Sequence, residues 1–219
     1  MKGAKSDAYD YCDDDDVDND LLIDGLELIF DCDPLIQDTD GDGLWDGTEI
    51  LIHNTIPTVA DTDADGLTDW QEIYLYFTNP NDDDHDNDGW KDGYEVHTTG
   101  TNPKKADTDS DGIKDKVEFN YWKSRGKTNA VAYAYCKNDD VDNDGLEDGD
   151  ELLNGSDPLD NDSDNDGLLD GLEVNTYDTE PDDSDSDNDG YDDLYEIING
   201  TDPNDASDYP GAGGGGFGF

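Results

Sequence analysis

Acidic side chains recur along this chain at one fixed spacing. In Asp38-x-Asp40-x-Asp42-Gly43-Leu44-x-Asp46-x-x-Glu49 they fill positions 1, 3, 5, 9 and 12 of a twelve-residue unit, with glycine at 6 and an apolar residue at 7. The unit returns at residues 61–72, 84–95, 107–118, 140–151, 162–173 and 185–196, and an eighth copy at 16–27 leads the series with Leu21 in the glycine position. Five acids in each of eight copies account for forty of the 62 Asp and Glu. Carboxylates on alternate residues of a tightly wound loop can point at one centre. A hard cation such as calcium takes roughly six to eight oxygens at about 2.3–2.6 Å. Position 7 would offer its backbone carbonyl, which leaves its side chain free to be apolar and turn inward. Glu at 12 is long enough to return and bind with both oxygens. Gly at 6 permits the sharp turn with positive φ. Leu21 lacks that freedom, so the first site is expected to be distorted or weak.

This is the ligand spacing of an EF-hand loop, and it names a ligand set for each copy. The first loop offers Asp16, Asp18, Asp20, Leu22, Asp24 and Glu27, and the second Asp38, Asp40, Asp42, Leu44, Asp46 and Glu49. The third offers Asp61, Asp63, Asp65, Leu67, Asp69 and Glu72, and the fourth Asp84, Asp86, Asp88, Trp90, Asp92 and Glu95. The fifth has Asp107, Asp109, Asp111, Ile113, Asp115 and Glu118, and the sixth Asp140, Asp142, Asp144, Leu146, Asp148 and Glu151. The seventh has Asp162, Asp164, Asp166, Leu168, Asp170 and Glu173, and the eighth Asp185, Asp187, Asp189, Tyr191, Asp193 and Glu196. No comparable pattern suggests catalysis. His53, His85 and His97 form no metal or base arrangement, His85 at loop position 2 is expected to face outward, and no Ser or Cys stands in a nucleophile motif.

Composition agrees with a cation binder. Of 219 residues only 11 are Lys or Arg, the formal net charge is −51, and 32% of residues are hydrophobic. Such charge opposes compaction, and a conventional core cannot compensate. Four Trp, twelve Tyr and five Phe, with acids in register rather than in blocks, argue against a disordered acidic polymer. Eight Ca²⁺ would add sixteen positive charges and bring −51 to −35, so folding should depend on metal. Nucleic acid requires a basic surface and is excluded as a partner. No apolar run approaches the ~20 residues that cross a bilayer. The opening, Met1-Lys2-Gly3-Ala4-Lys5, leads into no hydrophobic signal segment; a removed leader, another export route and an internal location all stay open.

Between loops a short apolar stretch such as Ile50-Leu51-Ile52 precedes a stop such as Thr78-Asn79-Pro80, Thr101-Asn102-Pro103 or Thr201-Asp202-Pro203. Copies start 22 or 23 residues apart except for one interval of 33. That leaves room for a loop, one short helix starting near position 9, and a turn, and it excludes paired EF-hands. The fold expected is an irregular calcium-stabilised array of EF-hand-like loops with short helices, a solenoid-like rod with little β structure. The unit Asp-x-Asp-x-Asp-Gly-Leu-x-Asp-Gly-x-Glu at residues 162–173, with Thr201-Asp202-Pro203 after a later copy, resembles the thrombospondin type 3 repeat in its bacterial and archaeal form. The resemblance covers roughly residues 13–205 and implies an extracellular stalk, spacer or adhesive element. It also implies that metal does here what many disulfides do in animal members. Dockerins are less similar, since they stop at two loops and lack this Glu at 12.

The chain also carries an unequal duplication. Ala132-Tyr133-x-Tyr135-Cys136 before loop six matches Ala8-Tyr9-x-Tyr11-Cys12 before loop one at a constant offset of 124, and the alternation in both suggests a short strand. The organisation expected is an N-terminal segment 1–15, five loops over 16–118, an aromatic and basic insert 119–139, three loops over 140–205 and a Gly-rich tail 206–219. Nine of the eleven basic residues lie between Lys91 and Lys137; local charge balance and a contact surface for an acidic neighbour both fit. Cys12 and Cys32 flank the first loop and could bridge it, which leaves Cys136 free or intermolecular. Asn154, Asn161 and Asn199 stand in sequons. Taken together, the residues favour an extracellular calcium-stiffened stalk or filament subunit joined head to tail. A surface adhesion module for a protein or glycan and a soluble calcium buffer are the alternatives. The head-to-tail expectation rests on the duplication: the segment preceding loop six links two blocks, so its homologue at 2–15 should sit in a joint with a neighbouring molecule, plugged by Phe217 and Phe219.

Overall fold

The structure is a computed structural model and describes residues 15–211. Among these residues it contains short helices, turns and loops and no strand. The chain divides into two compact units, Met1–Ala106 with loops one to four and Asp107–Phe219 with loops five to eight. The duplication in the sequence groups the fifth loop with the first four, whereas the units group it with the last three.

A helix begins at loop position 9 in all eight repeats. These are α1 (Asp24–Phe30), α2 (Asp46–Thr48), α3 (Asp69–Gln71), α4 (Asp92–Tyr94), α5 (Asp115–Ser124), α7 (Asp148–Asn154), α8 (Asp170–Leu172) and α9 (Asp193–Asn199). Position 8 is extended, as at Ile23 with φ −81° and ψ 143°, so the aspartate is the first helical residue. Its charge there complements the exposed N–H groups of the first turn. In α2, α3, α4 and α8 the helix widens at position 12 into a π turn, Glu49–His53, Glu72–Tyr76, Glu95–Thr99 and Glu173–Tyr177. The repeats with this turn are the ones followed by the 23-residue interval, and α1 and α7, which stay α-helical, are followed by the 22-residue one. The extra residue is absorbed as a bulge, which keeps the chain exit in the same place relative to the position-12 glutamate. A left-handed residue then ends the helix: Asp31, Asn54, Phe77, Gly100, Gly155, Asp178 or Gly200.

The insert departs from this scheme. α5 runs on to Ser124 before a left-handed residue, Gly126 at φ 78°, follows it, and Thr128 caps a further helix, α6 (Asn129–Tyr135), by accepting the Val131 N–H. The strand expected over Ala132–Cys136 is therefore a helix. Ala130, Ala132 and Ala134 favour helix, and the buried face is set by Ala132 and Cys136, one turn apart and both 0% exposed. Trp122 of α5, also fully buried, meets Tyr135 edge-on at 4.8 Å, and Phe119 stacks on Tyr133 at 4.8 Å. The matching segment around Cys12 lies outside the described residues.

The interior is unlike an ordinary core. The position-9 and position-12 carboxylates of all eight loops are 0% exposed, while Ile29, Ile52, Leu153 and Ile198 are more than two-thirds exposed. Of the position-7 side chains, Leu22, Leu44, Leu67, Trp90, Leu146 and Leu168 are buried as expected; Ile113 and Tyr191 are half-buried.

Candidate metal centres

Each loop is wound by its own carboxylates. The position-1 aspartate accepts the N–H of position 6 in every copy, for example Gly66 to Asp61 Oδ2 at 3.0 Å and Gly190 to Asp185 Oδ2 at 2.8 Å. The position-5 aspartate accepts the N–H of position 7, as Leu67 to Asp65 Oδ1 at 2.6 Å. The position-9 aspartate accepts the N–H of position 2, as Thr39 to Asp46 Oδ1 at 2.8 Å. In five loops it also accepts the position-2 hydroxyl, from Thr39, Thr62, Thr108, Ser163 and Ser186. Position 9 thus closes its own loop. Position 4 is left-handed throughout, at Asn19, Gly41, Ala64, Asn87, Ser110, Asn143, Asn165 and Asn188, and asparagine tolerates that region well. Leu21 holds φ 87°; the first loop keeps the turn of the others, so the expected distortion takes the form of local strain.

After this winding, specific oxygens remain. Every position-3 aspartate, Asp18, Asp40, Asp63, Asp86, Asp109, Asp142, Asp164 and Asp187, keeps at least one shielded oxygen with no hydrogen-bond donor. So do the position-12 glutamates Glu27, Glu49, Glu72, Glu118, Glu151, Glu173 and Glu196. Burial, followed by the charges of the neighbouring loop acids, pushes Glu49, Glu118 and Glu173 up to about 8 and Glu72 and Glu151 up to about 9. Desolvated carboxyls facing one another resist ionisation unless a cation joins them. An oxygen-only donor set with shielded, donor-less atoms fits a hard cation such as calcium.

The other oxygen of the glutamate is held by a residue that the ligand spacing does not reveal. Thr55, Thr78, Thr101, Thr179 and Thr201 donate their hydroxyls to Oε1 of Glu49, Glu72, Glu95, Glu173 and Glu196 at 3.0–3.3 Å. In loop five, where the insert removes the threonine, Trp122 Nε1 takes its place on Glu118 at 2.6 Å. The recurring Thr-x-Pro is the sequence signal for this role. Cys32 stands at the equivalent place in loop one, and both oxygens of Glu27 lack a donor. Burial first, then Asp46, pushes the Cys32 thiol up to about 12, and burial followed by Glu118 raises that of Cys136. Cys12 lies outside the described residues. His85 is half-buried with its Nδ1 shielded, rather than facing outward as expected, and its backbone N–H is held by Asp92 at 2.9 Å like that of the other position-2 residues.

Five joints between neighbouring repeats are stitched through position 5, whereas Asp111 Oδ2 of loop five lacks a donor. In each stitched joint the second position-5 oxygen accepts the position-10 N–H of the next repeat: Gly47 to Asp20 at 2.9 Å, Trp70 to Asp42 at 2.9 Å and Gly93 to Asp65 at 2.8 Å in the first unit, Gly171 to Asp144 at 2.6 Å and Leu194 to Asp166 at 2.9 Å in the second. The acids accordingly gather in two ways. Asp16, Asp18 and Asp20 converge within a loop, as do Asp38, Asp40 and Asp42 and Asp61, Asp63 and Asp65. Asp20 and Glu27 converge with Asp46 of the next repeat, and Asp65 and Glu72 with Asp92, each set with ligand atoms within 4.8 Å of one another. Asp46 and Asp92 at position 9 therefore lie against acids of the repeat before them.

The bacterial TSP3 repeat model matches residues 38–58, 61–82, 84–106, 140–161, 162–181 and 185–206, more than half of the chain. The chain belongs to this family. Its repeats are calcium-binding structural repeats. The two loops outside the matches are the one with Leu21 for glycine and the one followed by the insert. A solved structure titled "Biofilm associated protein - BSP domain" is 42% identical over 20% of this chain and 7% of that chain, with a TM-score of 0.20. The matched stretch is a small part of both chains. No curated protein matches it.

Proposed function

We propose that this TSP3 chain is an extracellular or cell-surface structural element, a stalk or a head-to-tail filament subunit, stiffened by about one Ca²⁺ in each loop. The observation that carries this reading is the set of shielded, donor-less oxygens on positions 3 and 12, repeated from Asp18 and Glu27 to Asp187 and Glu196. Without cations these groups would repel in the interior; with them, the carboxylates replace a hydrophobic core. The basic residues fit local charge balance: Lys91 pairs with Asp83 at 2.7 Å, Arg125 with Asp157 at 2.5 Å, and Lys104 lies over the Phe77 ring. Among the described residues no helix is long and apolar enough to cross a membrane. Calorimetric titration tests the reading. A structural element outside the cell should bind in the range of about 10⁻⁴–10⁻³ M, and uniform affinity tighter than about 10⁻⁷ M would point to a soluble buffer.

A second reading, adhesion to a protein or glycan, is favoured by a cavity of about 250 Å³ over loop two, lined by Gly43, Leu44, Trp45, Thr48, Trp70 and Tyr74. Trp45, Trp70 and Tyr74 are each more than a third exposed, and such faces suit sugar rings. Glycan-array binding lost in Trp70→Ala would support it. Asn154, Asn161 and Asn199 are exposed and open to glycosylation. A Cys12–Cys32 bridge is also proposed, and non-reducing peptide mapping would find it.

A further inference from the structure

We propose that the cleft over loop two takes a saccharide bearing free, protonated amino groups, its ring stacked on the exposed indoles and its ammonium drawn by their faces and by the loop carboxylates. This rests on the adhesion reading above and names the ligand class. The cleft is built by a departure from the repeat. Trp70 stands at loop position 10, where five other repeats have glycine. Its backbone N–H is stitched to Asp42 at 2.9 Å. Its side chain leaves the joint and lies over the preceding loop, where a Cβ on Gly43 would fall 3.2 Å from the indole.

Two further rings join Trp70. Tyr74, four residues on, meets it at 5.8 Å with the rings 45° apart, and Trp45 from position 8 of loop two lines the same cavity. All three are more than a third exposed, so the rings form an open platform rather than a closed cage. Open, tilted aromatic faces suit the flat apolar face of a sugar ring better than a slender alkyl chain. That favours a saccharide over a lysine side chain.

Charge selects the kind of saccharide. From Ser6 to Trp90 the chain has no Lys or Arg. Loop two carries five carboxylates, Asp38, Asp40, Asp42, Asp46 and Glu49, and one Ca²⁺ brings their −5 only to −3. The field over the cleft is therefore negative with the metal in place, and it repels uronic and sulfated sugars. Elsewhere the chain's own basic side chains cover aromatic faces: Lys104 over Phe77 at 5.5 Å, Arg125 over Tyr121 at 5.0 Å and Lys127 over Tyr135 at 5.9 Å. Among the described residues no Lys or Arg lies over Trp45, Trp70 or Tyr74. Their faces are left for a cation from outside.

Calorimetric titration of the full chain in saturating calcium tests this with three probes: a short glucosamine oligosaccharide, its fully N-acetylated counterpart and a lysine peptide of equal charge. The glucosamine oligosaccharide, with its amines protonated, should bind about tenfold tighter than the neutral one, and added salt should shrink that excess. Trp70→Ala removes a ring and no charge, so it separates the cleft from general attraction to an acidic surface. It should weaken glucosamine binding by about tenfold, and Tyr74→Ala should do the same to a smaller degree. Equal affinity for the two oligosaccharides overturns the cationic ligand and leaves glycan adhesion standing. Binding of neither overturns the adhesion reading as well. A lysine peptide that binds more tightly than the glucosamine oligosaccharide overturns the saccharide. Unchanged glucosamine binding in both variants, with wild-type circular dichroism and bound calcium, overturns the cleft as its site. The comparison of probes on the wild-type chain decides the ligand class even where a variant fails to fold.

Discussion

Gly171→Ala and Gly25→Ala make the same change at the same loop position, and the stitch between repeats gives them opposite signs. Both glycines lie in the first turn of a helix, where alanine is favoured by about 1 kcal/mol. Among the described residues nothing lies within 4 Å of a carbon added at Gly25, so the chain should gain about 0.5–1 kcal/mol. At Gly171 the carbon would fall 2.6 Å from the Asp144 carbonyl oxygen and 2.9 Å from the Leu146 nitrogen, both backbone atoms that cannot swing aside. Moving the repeats apart costs about 1–3 kcal/mol as overpacking. It also weakens the 2.6 Å bond from the Gly171 N–H to Asp144, a hydrogen bond to a charged group worth about 1.5–3 kcal/mol. Net of the helix gain, Gly171→Ala should lose about 2–4 kcal/mol. Trp70 and Leu194 carry a Cβ at this position with the stitch intact, so the penalty belongs to joints built around glycine. Urea unfolding in saturating calcium, followed by circular dichroism at a dilution that keeps the chain monomeric, measures both. Equal signs would refute the idea that repeats meet through position 10.

Leu21→Gly should stabilise loop one by about 1 kcal/mol, because a non-glycine residue at φ 87° carries left-handed strain; the same urea titration reads it. Trp122→Phe keeps an aromatic ring but removes the part of the indole that carries the N–H held by Glu118, and at this fully buried site should weaken loop five by about 2–3 kcal/mol, seen as faster amide exchange confined to α5 and its loop. The pH dependence follows from glutamates held above their ordinary 4.5, to about 8 at Glu49 and about 9 at Glu72. In the cation-free chain the folded state then binds extra protons between those limits, so stability falls as pH rises through the window. Cation-free helicity should recover on acidification toward pH 4.5, while calcium affinity falls over the same descent as protons compete; a flat profile in both would count against the buried carboxyl sites.

Much of the site was legible because coordination constrains residue type at every second position. Asp38 to Glu49 reads as a loop before any fold is known, and the helix start at position 9 follows from the space that remains. What the spacing could not show depends on contacts between repeats. The bond from Gly93 to Asp65 joins residues 28 apart, so Asp92 reads as a ligand of its own loop although it faces the site before it. The π turns are visible only as the difference between intervals of 22 and 23, whose meaning requires knowing that Thr55 and Thr78 must reach Glu49 and Glu72. The segment around Tyr133 reads as a strand because Ala and Tyr alternate with period two; burial follows Ala132 and Cys136 instead, a helical pair one turn apart, with the Cys136 thiol against the Asp115 carbonyl of α5.

The central claim, that cations replace a hydrophobic core, is tested most directly by far-ultraviolet circular dichroism of the full chain at pH 8, titrated with chelator and then with calcium. Eight short helices start on aspartates whose loops close only around shielded carboxylates. Chelation should therefore abolish most of the helical signal, and calcium should restore it cooperatively. A helical spectrum unchanged at full chelation would contradict the account.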